Sequence, residues 1–334
     1  MKKADTNLIK AINLNNVRQV MKRVETATKP QLASLTKLSV VTVNSLVKEL
    51  HDLGEIFEDE TVPSNGGRPA LTYRYNYNFS LALVIYIKEK QGQELISTTV
   101  VNLEDHILQK AEFLMPVFDR QQFYDIIRHF VMLYPSIKVI GIGIPGQAVN
   151  GEITVSAHQA LTGVRMIEDI ETQFGLLAML ENDINAAISG YCAKQDLDNE
   201  QCVLGIYFPR KNPPGMGIYM NGKVFKGKNG MAGEIKFLPM SLDWYQEIDK
   251  ETFVGAVCQI IQSVNAFLAP DKIVIYQDMV RVDTWNHMWE SFRIQYFMPS
   301  YPEVILQETF KQDFEAGMRW LTLKELEPTL IQFN

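Results

Sequence analysis

Along the first eighty positions the apolar residues fall at helical spacing. Val17, Val20, Met21 and Val24 mark one face of a helix over residues 14–25. Thr28 is placed to cap a second helix, with Pro30 in its first turn and Leu32, Ala33 and Leu35 facing inward. Thr36-Lys37-Leu38 reads as a short turn. Ser39 then caps a third helix, whose buried stripe is Val43, Leu46, Val47, Leu50 and Leu53, and Gly54 stops it. Beyond Gly54 the period shortens to two. Residues 55–58 and 70–75 alternate as strands, and Ser64-Asn65-Gly66-Gly67-Arg68-Pro69 joins them as a long hairpin.

Past residue 80 the pattern changes again. Apolar runs at 81–87, 138–144, 176–180, 203–208 and 272–276 predict buried strands. Amphipathic stretches at 121–133, 164–174, 185–193 and 252–268 predict helices between them. Strands interleaved with helices argue for an α/β body. No low-complexity linker interrupts the chain, and residues 76–80 are the best boundary. We therefore expect an N-terminal domain over 1–78 and a larger one over 79–334.

The segment KPQLASLTKLSVVTVNSLVKELHDLG (29–54) has a helix-turn-helix pattern, and with the hairpin it predicts a winged helix-turn-helix. Off the buried stripe of the third helix lie Val40, Val41, Thr42, Asn44, Ser45 and Lys48, preceded by the capping Ser39. An Asn pairs with adenine, a Thr with phosphate or base, and a Val meets a thymine methyl. Arg68 on its glycine-flanked tip is suited to a minor groove or a phosphate. The bland alternative is a helical bundle that packs against another protein.

Charge sharpens this picture without deciding it. The first 50 residues hold nine Lys or Arg against three Asp or Glu, whereas the whole chain of 334 carries −7. A basic head on an acidic body suits nucleic-acid contact at one end; a solvated helical face gives the same count. At 46% hydrophobic and 21% charged the composition is that of a soluble globular protein. No run nears the ~20 apolar residues of a membrane span. The first residues lack a signal core, so a cytoplasmic location is expected. Cys192, Cys202 and Cys258 have no paired spacing and read as reduced thiols.

Four motifs in order resemble the ROK family (repressors, open reading frames and kinases). They are Leu38-Ser39 with Gly66-Gly67-Arg68-Pro69, IGIGIPGQAVNGEI (140–153), LENDINAAISGY (180–191) and NGKVFKGKNGMAGEI (221–235). The resemblance implies a two-lobed, actin-like sugar-kinase fold. Its first lobe would span about 79–195 plus the C-terminal helix, and its second about 196–315. It also implies operator DNA as partner and a homodimer or homotetramer, the symmetry that a palindromic operator requires.

Against the family's kinase pattern, the nucleotide parts are altered. Tyr86 and Lys88 stand where the family has the Asp and Gly of a first phosphate loop. Asn212-Pro213-Pro214-Gly215-Met216-Gly217 replaces a second, glycine-rich loop, and proline offers no amide to a phosphate. Tyr276-Gln277 replaces a Gly-Gly near the nucleotide base. Phosphoryl transfer needs such a cradle. We therefore expect no catalysis and no cofactor, although Asp183 matches the family's catalytic base. The structural zinc is not expected either: Lys236 replaces its His, and Cys258 is the one cysteine downstream. Residues 237–250 are expected to connect without metal, packed by Phe237, Leu238, Trp244 and Tyr245.

Asn182, Asp183 and Glu234 match the family's sugar contacts, and Gly146 would let backbone close over the ring. Gln159, or His158 beside it, would replace a Pro-Asn contact. Lys236 in place of His favours a phosphorylated or acidic sugar. Asn182-Asp183 could instead be retained as a helix cap and Glu234 as a structural residue. The expectation is thus a regulator, repressor in type, of carbohydrate metabolism whose grip on its operator responds to a sugar or sugar phosphate. The alternatives are an ATP-dependent sugar kinase with an added DNA-binding domain, and a regulator that has lost its effector and serves as a scaffold.

Overall fold

The computed structural model describes residues 2–63, 69–90, 93–149, 151–156, 161–195, 197, 200–210 and 212–327. The N-terminal elements are α1 (Lys2–Val24), β1 (Thr26–Thr28), α2 (Lys29–Thr36), α3 (Val40–Asp52), β2 (Ile56–Val62) and β3 (Ala70–Tyr75). Local chemistry sets their ends. At the start of α2, Thr28 Oγ1 accepts from Gln31 N at 3.3 Å and Gln31 Oε1 accepts from Thr28 N at 2.8 Å, a reciprocal capping box. Lys37 turns the chain at φ 57°, and Ser39 Oγ accepts from Thr42 N at 3.1 Å to start α3. Gly54 leaves it at φ 79°, a conformation that glycine adopts without strain.

Val17, Met21, Leu32, Val43, Val47, Leu50 and Ile56 close a core between the three helices and the sheet, whose strand order is β1-β3-β2. Two expected core residues are outside it: Leu35 is 46% and Leu53 52% exposed. Each sits at the last turn of its helix, where the chain is already swinging away from the stripe. α1 also begins twelve residues earlier than its apolar face predicts. Ile9 and Ile12 on this extension are exposed, so it stands beyond the core. Strand β1 is too short for periodicity to reveal; it forms by pairing Thr26 with Arg74 across β3.

The body contains two five-stranded sheets. The first comprises β4 (Leu81–Lys90), β5 (Gln93–Val101), β6 (Ile107–Met115), β7 (Ile137–Ile144) and β10 (Leu177–Asn182), in the order β10-β7-β4-β5-β6. Helix α4 (Arg120–Leu133), the small hairpin β8 (Gly146–Val149) and β9 (Glu152–Ser156), and α5 (Met166–Phe174) belong to this half. Helix α6 (Asp183–Gln195) leaves β10 without a loop. The second sheet comprises β11 (Val203–Tyr207), β12 (Gly215–Met220), β13 (Lys223–Val224), β14 (Lys272–Tyr276) and β15 (Glu303–Gln307), in the order β13-β12-β11-β14-β15. It carries α7 (Lys250–Leu268) and α8 (Val282–Gln295), and α9 (Phe310–Lys324) then returns to the first half.

All five predicted strands and all four predicted helices of the body are present, and α9 is the C-terminal helix that the resemblance implied; β5, β6, the hairpin, β12, β13, α8 and β15 were not anticipated. The core explains why the strands read clearly. Parallel pairs such as β4–β7 and β11–β14 are buried on both faces, so their sequences are continuous apolar runs. Helices α6 and α9 pack backbone to backbone through Gly190 and Gly317. A Cβ on Gly317 would fall 1.7 Å from the Ala186 carbonyl oxygen. Next to this contact, the buried Asp313 accepts from Lys194 Nζ at 2.7 Å, Thr309 Oγ1 at 2.9 Å and the Tyr276 hydroxyl at 3.1 Å. No described helix is long and apolar enough to cross a membrane.

In the connection over 237–250, Leu238 and Trp244 pack on the core beside the second sheet, as expected. Phe237 and Tyr245 do not; each is 69% exposed. The residues fit no zinc site. Lys236 holds Glu234 in an ion pair, and Cys258 is sealed in the core with its thiol pushed up to about 12 by burial. No cluster of three or more metal-ligating side chains occurs among the described residues.

Candidate functional site: a cleft and an exposed helix face

Between the two sheets lies a cavity of about 550 Å³. The C-terminal edges of β10, β7 and β4 form one wall, as is usual where α/β sheets bind ligands. Gly146, Asn182, Asp183, Glu234 and Lys236, singled out across ninety residues of sequence, all line it. Gln159, with His158, lies outside the described residues.

Each of these side chains is held by its neighbours. Asn182 Oδ1 accepts from Asn185 N at 2.8 Å, so Asn182 does cap α6, the structural role foreseen for it. Behind it Glu181 is buried, pairs with Lys226 at 2.8 Å and accepts from Asn185 Nδ2 at 3.0 Å. Asp183 is different. Its carboxylate accepts from Ile184 N at 2.8 Å and from its own backbone N–H, yet burial outweighs both and pushes its pKa up to about 6. A carboxylate that poorly compensated is suited to a ligand that brings hydrogen-bond donors. Glu234 and Lys236 face each other at 3.0 Å and together offer both signs of charge.

The cavity also holds residues that sequence reasoning passed over. Gln147 follows the glycine turn and donates to the Gly230 carbonyl at 2.5 Å, tying the β8–β9 hairpin to the segment before Glu234. Tyr207 at the end of β11 stacks face to face on Phe310, ring centroids 3.7 Å apart, and Phe314 continues the stack. Lys88, read in the sequence as an obstruction to a phosphate loop, does line the cleft, as do Asn212, Pro213 and Pro214. Its ammonium pairs with Glu315 at 2.7 Å. Phe310, Lys311 and Phe314 come from α9, and nothing local in the sequence points to them.

The exposed face of α3 carries Ser39, Val40, Val41, Asn44, Ser45 and Lys48, with Thr42 half-buried. The Ser39 hydroxyl is taken by its cap on Thr42. Arg68 lies outside the described residues, with 64–67. Part of the basic excess is engaged at home: Lys10 pairs with Glu49, Arg18 with Glu55 and Lys22 with Glu327. A second cavity of about 550 Å³ separates these N-terminal elements from the body. Arg18, Lys22, Tyr75, Phe79, Leu326 and Glu327 are among the residues around it.

Comparison with known proteins agrees with this architecture. An N-acetyl-D-glucosamine kinase of Vibrio atlanticus is 31% identical over 161 residues, 46% of this chain and 53% of that enzyme. The chain thus spans about half the length of the kinases it matches. The xylose repressor of Bacillus spizizenii is 25% identical over 316 residues, 88% of this chain and 78% of the repressor. Among solved structures, a ROK family transcriptional regulator homologous to the E. coli MLC protein superposes with a TM-score of 0.58 at 17% identity. That superposition covers 95% of this chain and 99% of the other, and it shows a shared fold. The ROK family pattern itself matches residues 90–260, just over half of the sequence. By its glycine turn, its Asn182-Asp183 strand end and this match, the chain belongs to the ROK family.

Proposed function

We propose that this chain is a DNA-binding transcriptional regulator, a repressor of carbohydrate metabolism, whose operator affinity changes when a sugar or sugar phosphate fills the cleft. Residues 1–78 are the winged helix-turn-helix domain and 79–334 the effector domain. α3 is the recognition helix, with Val40, Val41, Asn44 and Lys48 toward the major groove, and Arg68 works from the wing. A homodimer or homotetramer matches the two-fold symmetry of a palindromic operator.

One observation carries the proposal: α9 spans both sites. Its first turns supply Phe310, Lys311 and Phe314 to the cleft. Just past its last turn, Leu326 and Glu327 border the cavity against α1, where Glu327 meets Lys22 at 3.3 Å. The Tyr77 hydroxyl donates to the Lys22 carbonyl at 2.8 Å, and Arg319 of α9 pairs with Asp105 at 2.6 Å. A helix packed backbone to backbone on α6 moves as a rod, so lobe closure at one end shifts the seat of the head at the other. A ligand couples the two sites only through its different affinity for the two arrangements.

The test is an operator selected from random DNA, followed by fluorescence anisotropy with and without a panel of sugars and sugar phosphates. A sugar that shifts the midpoint supports the proposal. Operator binding indifferent to every sugar, with no thermal shift, points to the scaffold reading instead.

The second reading, an ATP-dependent sugar kinase, is favoured by Asp183 in the cleft with its raised pKa, fitting for a general base. Against it stand Lys88 and the paired prolines at the positions for phosphate loops, together with the Tyr207–Phe310–Phe314 stack. Steady ADP release with any hexose establishes the kinase and removes the purely regulatory role.

A further inference from the structure

Lys88 and Lys311 line the cleft, and Lys110 lines the hollow beside it. In the first sheet β4 lies two strands from β10, with β7 between them, so Lys88 stands about 10 Å from the Asp183 position at ~4.8 Å per strand. Its Nζ approaches Glu315 Oε1 at 2.7 Å, and Lys110 Nζ approaches Oε2 at 3.5 Å. Lys311 borders both the cleft and an adjoining hollow of about 330 Å³ that contains Lys110 and Glu315. One carboxylate is therefore shared by two ammoniums. Lys311 has no carboxylate within ion-pair distance among the described residues. The other acid lining the hollow, Glu112, is exposed and accepts from Ser97 Oγ at 3.3 Å.

Among the described side chains, three ammoniums thus face two carboxylates, and Lys311, whose charge acts on Glu315 without an ion-pair contact, is the cation most open to a ligand. Burial lowers the Lys88 pKa against the opposing pull of Glu315, and Lys311 adds to the lowering, so its charged form is held at a cost that an added anion would offset. Low-dielectric cleft walls concentrate such a field. We propose that Lys88, Lys110 and Lys311 form a phosphate-recognition subsite beside the sugar subsite. A lysine is a compact point charge with rotatable donors, suited to the terminal oxygens of a phosphate. A nucleotide triphosphate is a poorer fit, because the loop at Pro213-Pro214 presents no amides there. The anion is either the phosphate of a sugar whose ring sits at Asp183 or inorganic phosphate bound beside a neutral sugar. No bond is made or broken.

This inference rests on reading the cleft as the ligand site, and testing inorganic phosphate by itself keeps the two separable. The full chain is titrated by calorimetry and thermal shift with inorganic phosphate, with neutral hexoses and with their 6-phosphates. Lys311→Glu, the Lys110→Glu/Lys311→Glu double variant and Lys236→Ala follow, with circular dichroism as the folding check. The expected result is a thermal shift with phosphate, affinity reduced tenfold or more in Lys311→Glu and further in the double variant, and a smaller loss in Lys236→Ala. Competition between inorganic phosphate and a hexose phosphate assigns the subsite to a phosphorylated sugar. Tighter binding of a neutral hexose in the presence of phosphate assigns it to the free anion. If phosphate binds with Lys311 dependence but no sugar does, the subsite stands and the sugar reading falls. No phosphate binding, or loss in Lys236→Ala without loss in Lys311→Glu, overturns the proposal.

Discussion

Replacing Asp183 with Asn removes a charge while nearly preserving shape. Burial raises the folded-state pKa to about 6 from an ordinary value of 3.8. The folded protein therefore binds the proton more tightly than the unfolded chain, and stability falls as pH rises between those two values. Above pH 6 the full penalty is present. Two pKa units correspond to about 3 kcal/mol, which water in the cleft reduces to about 1–2 kcal/mol. A carboxylate in the first turn of α6 also gains roughly 0.3–1 kcal/mol from the helix dipole, which the amide forfeits. The net expectation is that Asp183→Asn is more stable by about 1 kcal/mol at pH 7.5, a rise of roughly 2–4 °C in Tm, with the gain shrinking toward pH 4. The same variant should lose the sugar response, because a hydrogen bond to a charged group contributes about 1.5–3 kcal/mol. Differential scanning fluorimetry at both pH values, with and without sugar, measures both effects. Greater stability with a lost ligand response is the signature of a binding residue kept at some cost to the fold. If Asp183→Asn melts lower at pH 7.5, or responds to sugar unchanged, Asp183 is a structural residue and the reasoning fails.

Removing base and phosphate contacts separately should distinguish their roles in α3. Asn44→Ala is expected to relax sequence preference at one position by about 1–3 kcal/mol, whereas Lys48→Ala should weaken all sequences alike and lower the salt slope by about one; anisotropy across a salt series reads both. Lys22→Glu and Glu327→Lys should each reduce the effect of sugar on DNA affinity while leaving sugar affinity intact, and the double exchange should restore it, as a double-mutant cycle would show. Arg18→Ala strands the buried Glu55, which Arg18 holds through two 2.5 Å bonds, and should cost about 3 kcal/mol by urea denaturation at neutral pH.

Much of the N-terminal region was legible because its signals are local. Thr28 with Gln31, and Ser39 with Thr42, act within a single turn, so their spacing alone places the starts of α2 and α3. The face left exposed on α3 follows from the same period. Leu35 and Leu53 were misplaced because a helix stripe says nothing about where the neighbouring elements stop covering it. In the cleft, Gly146, Asn182, Asp183, Glu234 and Lys236 were found through motifs that follow strands or turns, and the structure brings all five to one cavity.

The sequence by itself determined the α/β class and the two main element patterns, since helical and strand periodicity need only near neighbours, and its resemblance to the ROK family singled out the residues at strand ends. Only the tertiary structure decided that Phe310, Lys311 and Phe314 line the same cleft as Asp183, and that Glu327 meets Lys22, more than 300 positions away. It also decided that Lys88 shares Glu315 with Lys110. The physical reason is the return of α9 across Gly190, where the absence of a side chain lets two backbones touch. Such an approach depends on the shape of both partners, and neither carries a local signal of the other.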